Sequence, residues 1–544
     1  MMRGVGRRLG DLFASRVASL ISAQSPDPLD AIARQRIHPL EERQEADALE
    51  AEARAARPRD AARWVACGAR WFELDQLDRA RRAFEQALAA DPRCAEAMDA
   101  LGTIHKTRGE IGESIELYRQ ALAADPRSVG AFQNLLFAML CSAEVTEEEI
   151  LREHRRFAET FEAPLGATPP ERKPRPDPDK RLRIGYLSAD LRDHVTGRCI
   201  APILANHDRK LFRVSCYYDA RKADDFTRAM QRPQDNWRDM SHLDDAGLCA
   251  RIRSDEIDIL VDLSGHTPGN RILAVARRAA PVQVSYLDYS ATTGLRSMDY
   301  RLTTALCDAE GADGFYTEAL WRLPANYWAY NPPKIPDAGE RDGTAKKSGA
   351  LFSCLNSFYR IPDRSIRAWA QILRAVPGSR LALIGIPGDA ESRDHAARRF
   401  KKLGIDPARV EMFGILDYGN YIQLTRATDV ALAPYPYNGA MTTLDCLWSG
   451  VPVVCLRGGP TFRSSMGRCI LELLQMDDLI AASDDDYVRI AVGLARDAQR
   501  RAELRAGLRG KLKASSLCDG RTLTRQVEKA YREMWRKHCA AVPA

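Results

Sequence analysis

The sequence predicts an α plus α/β chain, in which helical repeats are followed by two lobes of alternating strands and helices. Pro58, Pro92 and Pro126 recur every 34 residues, a spacing typical of two-helix repeats. From Leu182 onward, short apolar segments alternate with amphipathic ones, as in parallel sheets covered by helices. The proline-rich, charged segment 168–180 lies between these regions and is typical of a linker.

The length of 544 residues leads us to expect about three to four domains. We place their boundaries where the composition changes. The expected parts are an N-terminal helical extension (1–57), the repeats (58–165), the linker (166–180), a first lobe (181–345) and a second lobe with a terminal helix (346–544).

Composition argues against several classes of protein. The chain is 45% hydrophobic and 28% charged, and it contains no apolar run of the ~20 residues that a membrane span needs. A net charge of +6 from 80 basic and 74 acidic residues does not indicate nucleic-acid binding. Thirteen scattered cysteines without metal-binding spacing predict reduced thiols and a cytoplasmic protein. Residues 1–20 are basic, and we expect a simple helix or arm there, or else a targeting or surface helix.

The repeat region matches the tetratricopeptide pattern. The segments 87–93 and 121–127 are identical, and a weaker third unit begins near Phe132. Two or three such hairpins form a short superhelix whose concave face holds extended peptides; the alternative is a spacer or a dimer surface. The residues that fall on the expected positions are Trp64, Gly68, Trp71, Ala80, Phe84 and Ala87 in one unit, and Leu101, Gly102, Tyr118 and Ala121 in the next.

Both lobes are predicted from their apolar segments. Ligands bind at the carboxyl ends of parallel strands, so we expect the functional site in a cleft between the two lobes. The predicted strands are 182–187, 212–218, 257–263 and 282–286 in the first lobe, and 351–354, 381–384, 410–413 and 429–433 in the second. Residues 488–513 and 522–537 are predicted helices.

The stretch 435–454 is a predicted turn, helix and strand. Asn438-Gly439 marks the turn, and we expect Thr442 or Thr443 to cap a helix that runs through Asp445. The N–H groups and dipole at such a helix start suit a phosphate. Units of this kind also occur throughout α/β proteins, so the stretch alone leaves both interpretations open.

An ordered set of motifs resembles one known family, and the resemblance covers about residues 58–538. The chain resembles the protein O-GlcNAc transferase and SPINDLY-like family of nucleotide-sugar-dependent glycosyltransferases, as a divergent bacterial-type member. The motifs are Arg-Ile-Gly-Tyr-Leu-Ser-Ala-Asp at 183–190, Asp-His at 193–194, Asp-Leu-Ser-Gly-His-Thr at 262–267, Pro-Val-Gln-Val at 281–284, Met-Asp-Tyr at 298–300, Leu-Pro at 323–324, Tyr-Pro-Tyr-Asn-Gly at 435–439, Thr442-Thr443, Asp445 and Leu-Trp-Ser-Gly-Val-Pro at 447–452.

The resemblance implies a two-lobed, double Rossmann-like glycosyltransferase-B fold and an inverting, metal-independent reaction. The co-substrate would be a nucleotide sugar, with UDP-GlcNAc the first expectation, and no other cofactor is implied. The acceptor would be Ser or Thr of a protein recruited by the repeats. Two alternatives remain: a different donor sugar dedicated to one acceptor such as flagellin, or an inactive adaptor.

The resemblance also implies roles for individual residues. Arg360 replaces the family's phosphate-binding lysine and keeps its charge. His194 matches a histidine with a base or acceptor-orienting role. The expected donor-binding residues are Tyr421, Asn438, Thr442, Thr443, Asp445 and His266. Chemistry alone would also allow a solvated loop arginine, an ordinary loop histidine, a first-turn acid and a core tyrosine at these positions.

Departures from the family pattern concentrate in the expected donor loops. The family's Gly-Tyr-Pro-Gly-Thr loop is Asp-Tyr-Ser-Ala-Thr at 288–292, and Ala440 and Met441 replace polar residues. The stretch 461–467 does not reproduce a family turn in register. These changes indicate a different sugar or nucleotide rather than decay to a non-catalytic scaffold.

Overall fold

The computed structural model describes residues 40–55, 60–165, 177–333, 335 and 349–541. The predicted helix or arm at 1–20, Pro58 and most of the linker lie outside the described residues. Among the helices that are described, none is both long and apolar enough to cross a membrane.

The described part of the repeat region is helical, as predicted. Gly68 lies against the Phe84 ring and Gly102 against the Tyr118 ring, so that a Cβ atom at either glycine would come within 2.6–2.7 Å of the facing ring. This equivalent packing, 34 residues apart, explains the glycines of the repeat pattern. The helices are α1 (Leu40–Ala55), α2 (Ala61–Glu73), α3 (Leu77–Ala90), α4 (Ala95–Thr107), α5 (Ile111–Ala124), α6 (Val129–Cys141) and α7 (Glu147–Phe161).

The described residues of the first lobe form a parallel sheet of seven strands in the order β3-β2-β1-β4-β5-β6-β7. The strands are β1 (Leu182–Leu187), β2 (Phe212–Tyr218), β3 (Asn236–Asp239), β4 (Ile259–Asp262), β5 (Val282–Ser285), β6 (Tyr300–Thr304) and β7 (Ala319–Leu323). The helices are α8 (Val195–Asn206), α9 (Asp225–Met230), α10 (Asp245–Ser254) and α11 (Ile272–Ala276).

In the second lobe the described strands form a parallel sheet of six in the order β10-β9-β8-β11-β12-β13. They are β8 (Leu351–Ser357), β9 (Arg380–Ile384), β10 (Val410–Met412), β11 (Val430–Leu432), β12 (Val453–Leu456) and β13 (Ile480–Ala481). The helices are α12 (Asp363–Ala375), α13 (Ala390–Lys402), α14 (Tyr418–Ala427), α15 (Ala440–Trp448), α16 (Phe462–Leu473), α17 (Asp484–Arg496), α18 (Ala498–Ala514) and α19 (Gly520–Ala541).

The architecture expected from the sequence, repeats followed by two α/β lobes, is confirmed, while some elements differ. Strands β3, β6, β7 and β13 were not predicted, since they are short or carry polar residues, as Asn236–Asp239 does. The predicted helix 488–513 is two helices, because Asp497 ends α17 and its side chain accepts a hydrogen bond from the N–H of Arg500 at the start of α18.

The strand order of each sheet reverses at one place, between β1 and β4 in the first lobe and between β8 and β11 in the second. Connections leave the sheet in opposite directions there, which opens a crevice at the carboxyl ends of the strands. The segments that follow these four strands are therefore placed to form a ligand site.

The terminal helix α19 returns to the first lobe. Glu528 lies 3.0 Å from His207 Nδ1, and the hydroxyls of Tyr531 and Tyr186 are 3.4 Å apart. The repeats also pack on the lobes: Arg463 on α16 pairs with Glu147 on α7 at 2.7 Å. Residues of α5, α6 and α7 belong to the same hydrophobic core as the lobes, whereas α2 and α3 belong to a separate one.

Candidate functional site

The two lobes meet through side chains that follow strands at or next to the switch points, or that lie on the neighbouring helices. Ser290 after β5 donates to the Tyr437 hydroxyl after β11 at 3.3 Å. Cys199 on α8 lies 3.4 Å, sulfur to sulfur, from Met441 on α15. The cleft between the lobes is thus lined from both sides by the loops in which the sequence placed the candidate residues.

Helix α15 begins at Ala440, with Gly439 as its N-cap and no side chain capping it. The expectation that Thr442 or Thr443 caps this helix is wrong. Both threonines lie in the first turn and donate their hydroxyls back to the Gly439 carbonyl, at 3.1 Å and 2.7 Å. Because no side chain occupies the N-cap, the helix start retains the polarity that attracts an anion. Gly450, with φ +76°, follows the helix end.

Arg360 lies beside the start of α15. It ends a short 3₁₀ helix after β8, and its guanidinium is 4.0 Å from the centre of the Tyr437 ring. Its Nε has no hydrogen-bond acceptor among the described residues. From the same segment, the side-chain amide oxygen Oδ1 of Asn356 lies 3.4 Å from the Thr442 hydroxyl, as a second acceptor for the proton that this hydroxyl shares with the Gly439 carbonyl. A positive charge and an uncapped helix start are therefore brought to one place.

Asp445 lies one turn into α15 and is buried. Its carboxylate accepts a hydrogen bond from the Tyr330 hydroxyl at 2.7 Å. Burial raises its pKa, against the lowering effects of the Tyr330 hydroxyl, the Arg198 charge and the hydroxyls of Tyr421 and Tyr418. Hydroxyl donors and a cation from both lobes thus surround the carboxylate. Hydroxyl groups of a ligand can replace these protein donors.

Tyr421 lies on α14 and stacks on Tyr418, with ring centres 5.9 Å apart and planes at 21°. Arg198 from α8 of the first lobe lies 3.7 Å above the Tyr418 ring, and its guanidinium pairs with Asp193 at 2.8 Å. The result is a layered aromatic and cationic wall next to Asp445. Flat rings of this kind stack well on a planar base.

His194 is the N-cap residue of α8 and is half-buried. Its Nδ1 accepts from the N–H of Thr196 at 3.3 Å and lies 3.2 Å from the Thr196 hydroxyl. The ring is therefore held by its own helix. His194 interacts electrostatically with Asp288 after β5, which places both groups at the carboxyl edge of the first sheet.

His266 and Asn438, two expected donor-binding residues, make hydrogen bonds within the protein, and only Nδ1 of His266 has no partner among the described residues. Buried His266 is 2.8 Å from the Thr293 carbonyl through Nε2 and packs edge-on to Phe157 of α7 at 4.6 Å. Burial lowers its pKa to about 4. The Asn438 amide accepts from the N–H of Gly467 at 3.0 Å and faces the Ser464 carbonyl at 3.4 Å, so it connects the loop to α16.

Several residues of the site were not named as candidates from the sequence. Tyr330 and Arg198 contact Asp445 and Tyr418, but their segments carry no motif that marks them. Tyr437 was part of a motif, without a role assigned to its ring. Asp288 was visible as a charge in a loop where the resemblance implies glycine, and this departure was the available signal.

Residues 168–331 and 342–527 match the model of Glycosyl transferase family 41, and residues 72–129 match a tetratricopeptide repeat model.

Similar proteins include the probable UDP-N-acetylglucosamine–peptide N-acetylglucosaminyltransferase SPINDLY of Solanum lycopersicum, which is 35% identical over 422 residues. The match covers 76% of this chain and 45% of that protein. The UDP-N-acetylglucosamine–peptide N-acetylglucosaminyltransferase of Caenorhabditis elegans is 23% identical over 67% of this chain and 41% of its own length. The chain thus spans less than half the length of these relatives.

Among solved structures, a mutant of the O-GlcNAc transferase of Thermobaculum terrenum is similar, with a TM-score of 0.83 and 32% identity. The match covers 97% of this chain and 99% of that one. The repeats and both lobes are therefore arranged alike in the two proteins.

Proposed function

Since this chain belongs to glycosyltransferase family 41, we propose that it transfers a sugar from a nucleotide-sugar donor to a Ser or Thr hydroxyl of an acceptor protein. The family expected from the motifs is confirmed. The observation that carries the proposal is the convergence of Arg360, the uncapped start of α15 and Asp445 on one side of a cleft, opposite His194 from the other lobe.

The proposed reaction is a single displacement. The acceptor oxygen attacks the anomeric carbon of the donor sugar, the bond from that carbon to the phosphate oxygen breaks, and the nucleoside diphosphate leaves with the electron pair. Configuration at the anomeric carbon is inverted. The negative charge that develops on the β-phosphate is stabilised by the Arg360 guanidinium and the N–H groups of α15. Because these groups are fixed cations and dipoles, the step requires no metal ion.

Donor recognition follows from the groups around the diphosphate site. Asp445 is proposed to accept hydrogen bonds from the ribose hydroxyls, and the rings of Tyr421 and Tyr418 to contact the base. Thr442 and Thr443 line the first turn beside the phosphates. UDP-GlcNAc is the donor that the relatives' names suggest, and we propose it as the first donor to test.

The acceptor is proposed to enter between the repeats and the cleft. Phe137 on α6 packs 5.8 Å from the Tyr359 ring and 6.2 Å from the Tyr437 ring, measured between ring centres. The last repeat helices are thus continuous with the wall of the site that holds Arg360. A peptide bound along the concave face would be delivered to His194 and the donor.

A second candidate keeps the reaction and changes the donor sugar. Relative to the family pattern that the chain resembles, Asp288 adds a carboxylate, and Ala440 and Met441 remove polar groups, in the expected donor loops. These substitutions favour a sugar other than N-acetylglucosamine, placed on one dedicated acceptor such as a flagellin.

The experiment is a transfer assay with a panel of nucleotide sugars. The purified protein is incubated with each donor and a whole-cell lysate, and added hexosamine, hexose or deoxyhexose mass on Ser or Thr is measured by mass spectrometry. Arg360→Ala is the inactive control, and chelator is included in a parallel series. Transfer that persists in chelator supports the proposal. The proposal would be refuted if the protein showed no transfer and no nucleotide binding with any donor of the panel.

A further inference from the structure

The tautomer of His194 limits what this residue can do. The backbone N–H of Thr196 can only donate, and it points at His194 Nδ1, so Nδ1 must carry a lone pair. The proton of the neutral imidazole is then on Nε2. Such a ring donates a hydrogen bond through Nε2, and its lone pair is turned toward its own helix. A proton taken from an acceptor hydroxyl in the cleft therefore needs another base.

The carboxylate of Asp288 is placed to act as this base. It follows β5, the strand next to β4, at the carboxyl edge of the first sheet and is half-buried. Its side chain interacts electrostatically with His194 and, from the second lobe, with Arg360. Ser290, two residues further on, donates to the hydroxyl of Tyr437, whose ring lies 4.0 Å from the Arg360 guanidinium. The loop that holds Asp288 thus lies between the histidine of the first lobe and the cation of the second.

The loop that carries Asp288 is fixed on both sides of this residue. Leu287 has φ +73°, a strained value for a branched side chain, and its N–H donates to the Tyr327 hydroxyl at 2.5 Å. The Tyr289 hydroxyl lies 2.7 Å from His154 Nε2, and Ser290 donates to Tyr437. Backbone strain that several contacts stabilise is common where a catalytic group must be oriented before the substrate binds.

Building on the proposed function, we propose that the Asp288 carboxylate is the general base of the transfer and that His194 orients the reacting groups as a hydrogen-bond donor. The acceptor O–H bond breaks and its proton goes to a carboxylate oxygen of Asp288. The freed electron pair forms the bond from the acceptor oxygen to the anomeric carbon. The bond from that carbon to the phosphate breaks, and its electron pair leaves with the diphosphate next to Arg360.

The surroundings of Asp288 suit a base that works near neutral pH. Burial raises its pKa, and the nearby Asp190 raises it further, while the Thr267 hydroxyl, the charge of Arg360 and, when it is protonated, His194 oppose this rise. A base whose pKa lies closer to the working pH takes up a proton more effectively in the transition state.

Further ionisable groups face Asp288 from neighbouring elements. Asp262 at the end of β4 has its pKa raised to about 7 by burial, with a smaller effect from Asp288 itself. Cys199 on α8 and Tyr437 after β11 also sense its charge. A pH profile of the wild-type protein therefore contains more than one ionisation, and the Asp288 contribution must be identified by substitution.

The test compares Asp288→Asn and Asp288→Gly with the wild-type protein, using the donor that supports transfer in the panel. The resemblance to the family pattern implies glycine at this position, so the second variant covers the case in which asparagine disturbs folding. We expect kcat to fall about 100-fold or more, and nucleoside diphosphate binding, measured by thermal shift, to be kept or strengthened. The ionisation of Asp288 should disappear from the acid limb of the pH–rate profile in both variants, so that the limb changes and reports only the remaining groups, such as Asp262.

Chemical rescue distinguishes a base from a structural residue. Sodium formate, which supplies a free carboxylate, should restore part of the rate of Asp288→Gly and none of the rate of Arg360→Ala. His194→Gln should lower the rate and retain the acid limb. A folded Asp288→Gly variant with a wild-type rate, or with an unchanged acid limb, would overturn the role of Asp288 while leaving the proposed function intact. Absence of transfer by the wild-type protein with every donor would overturn both.

Discussion

The hydroxyl of Tyr289 donates a 2.7 Å hydrogen bond to Nε2 of His154 and so joins the loop after β5 to α7, the last helix of the repeat region. His154 is fully buried, and its Nδ1 lies 2.7 Å from the carbonyl of Ile150. Since Nδ1 must donate to that carbonyl, Nε2 is the acceptor. The repeats therefore contact the loop that holds Asp288, and the two regions are not independent of each other.

Tyr289→Phe is expected to reduce stability by about 1–3 kcal/mol, because His154 Nε2 is left as a buried acceptor without a donor. The free energy of unfolding is measured by urea denaturation. Tyr300→Phe serves as the control, since Tyr300 is only half-buried, packs against Trp321 and should change stability by less than about 0.5 kcal/mol. Equal effects of the two substitutions would contradict the role of the His154 contact.

Stability is expected to decrease as the pH falls from about 6.5 to about 4. Burial lowers the pKa of His154 to about 3 and that of His266 to about 4, from an ordinary value of 6.5. The unfolded chain binds protons at both residues below pH 6.5, whereas the folded chain remains neutral there until the lower values are reached. Each unit of pKa difference between the folded and the unfolded chain is worth about 1.4 kcal/mol. The two residues together therefore contribute a few kcal/mol to the free energy of unfolding.

The measurement is the urea midpoint as a function of pH for the wild-type protein and for His266→Gln. The variant should lose less stability between pH 6.5 and pH 4 than the wild-type protein does. A parallel pH dependence of the two proteins would show that His266 does not titrate with unfolding in this window.

Gly294→Ala is expected to separate the loop after β5, which also holds Asp288, from α7. Gly294 has φ +79°, and a Cβ atom there would lie 2.2 Å from the His154 carbonyl oxygen, so the backbone would have to move. Gly311 has φ +89° with no atom within 4 Å of a Cβ, and Gly311→Ala is the matched control for the cost of the conformation alone. We expect a melting temperature clearly lower for Gly294→Ala than for Gly311→Ala, and similar values would argue against a close approach.

Arg360→Ala is expected to lower kcat by about 100- to 1,000-fold, because a fixed positive charge at the leaving phosphate is lost. Arg364 is the control on the same segment: it stacks 4.7 Å over Tyr435 and pairs with Asp484 at 2.9 Å, with 43% of its side chain exposed. Arg364→Ala should retain the wild-type rate. If the two variants were equally active, the leaving group would have to be stabilised elsewhere.

Asp445→Asn is expected to weaken nucleoside diphosphate binding by about tenfold or more, since hydrogen bonds to a charged acceptor are stronger than those to a neutral one. Tyr330→Phe removes the 2.7 Å hydrogen bond to this carboxylate and keeps its charge, so it should weaken binding less. Isothermal titration calorimetry measures both. Unchanged affinity in Asp445→Asn would exclude the proposed contact with the ribose.

Much of the fold could be predicted because its signals are local. The 34-residue proline and glycine pattern and apolar segments such as 182–187 and 212–218 depend on neighbouring residues, and the structure has helices and strands there. The short strand Asn236–Asp239 could not be predicted, because its place is decided by pairing with β2 rather than by its own polar residues.

The candidate site was predicted less completely. Arg360, Asp445 and His194 could be proposed because they lie within motifs. The contacts of His266 with Phe157 and of Asn438 with Gly467 could not, since they join segments far apart in the chain. A motif identifies a position, whereas the direction of a side chain depends on what packs around it.

The sequence by itself determined that the chain has repeats and two α/β lobes, and which family it resembles, because periodicity and ordered motifs are properties of neighbouring residues. Tertiary structure decided which groups meet. It left the start of α15 uncapped next to Arg360, turned the lone pair of His194 toward Thr196, and joined Tyr289 to His154. These relationships depend on strand order and on packing between distant segments, which no local pattern encodes.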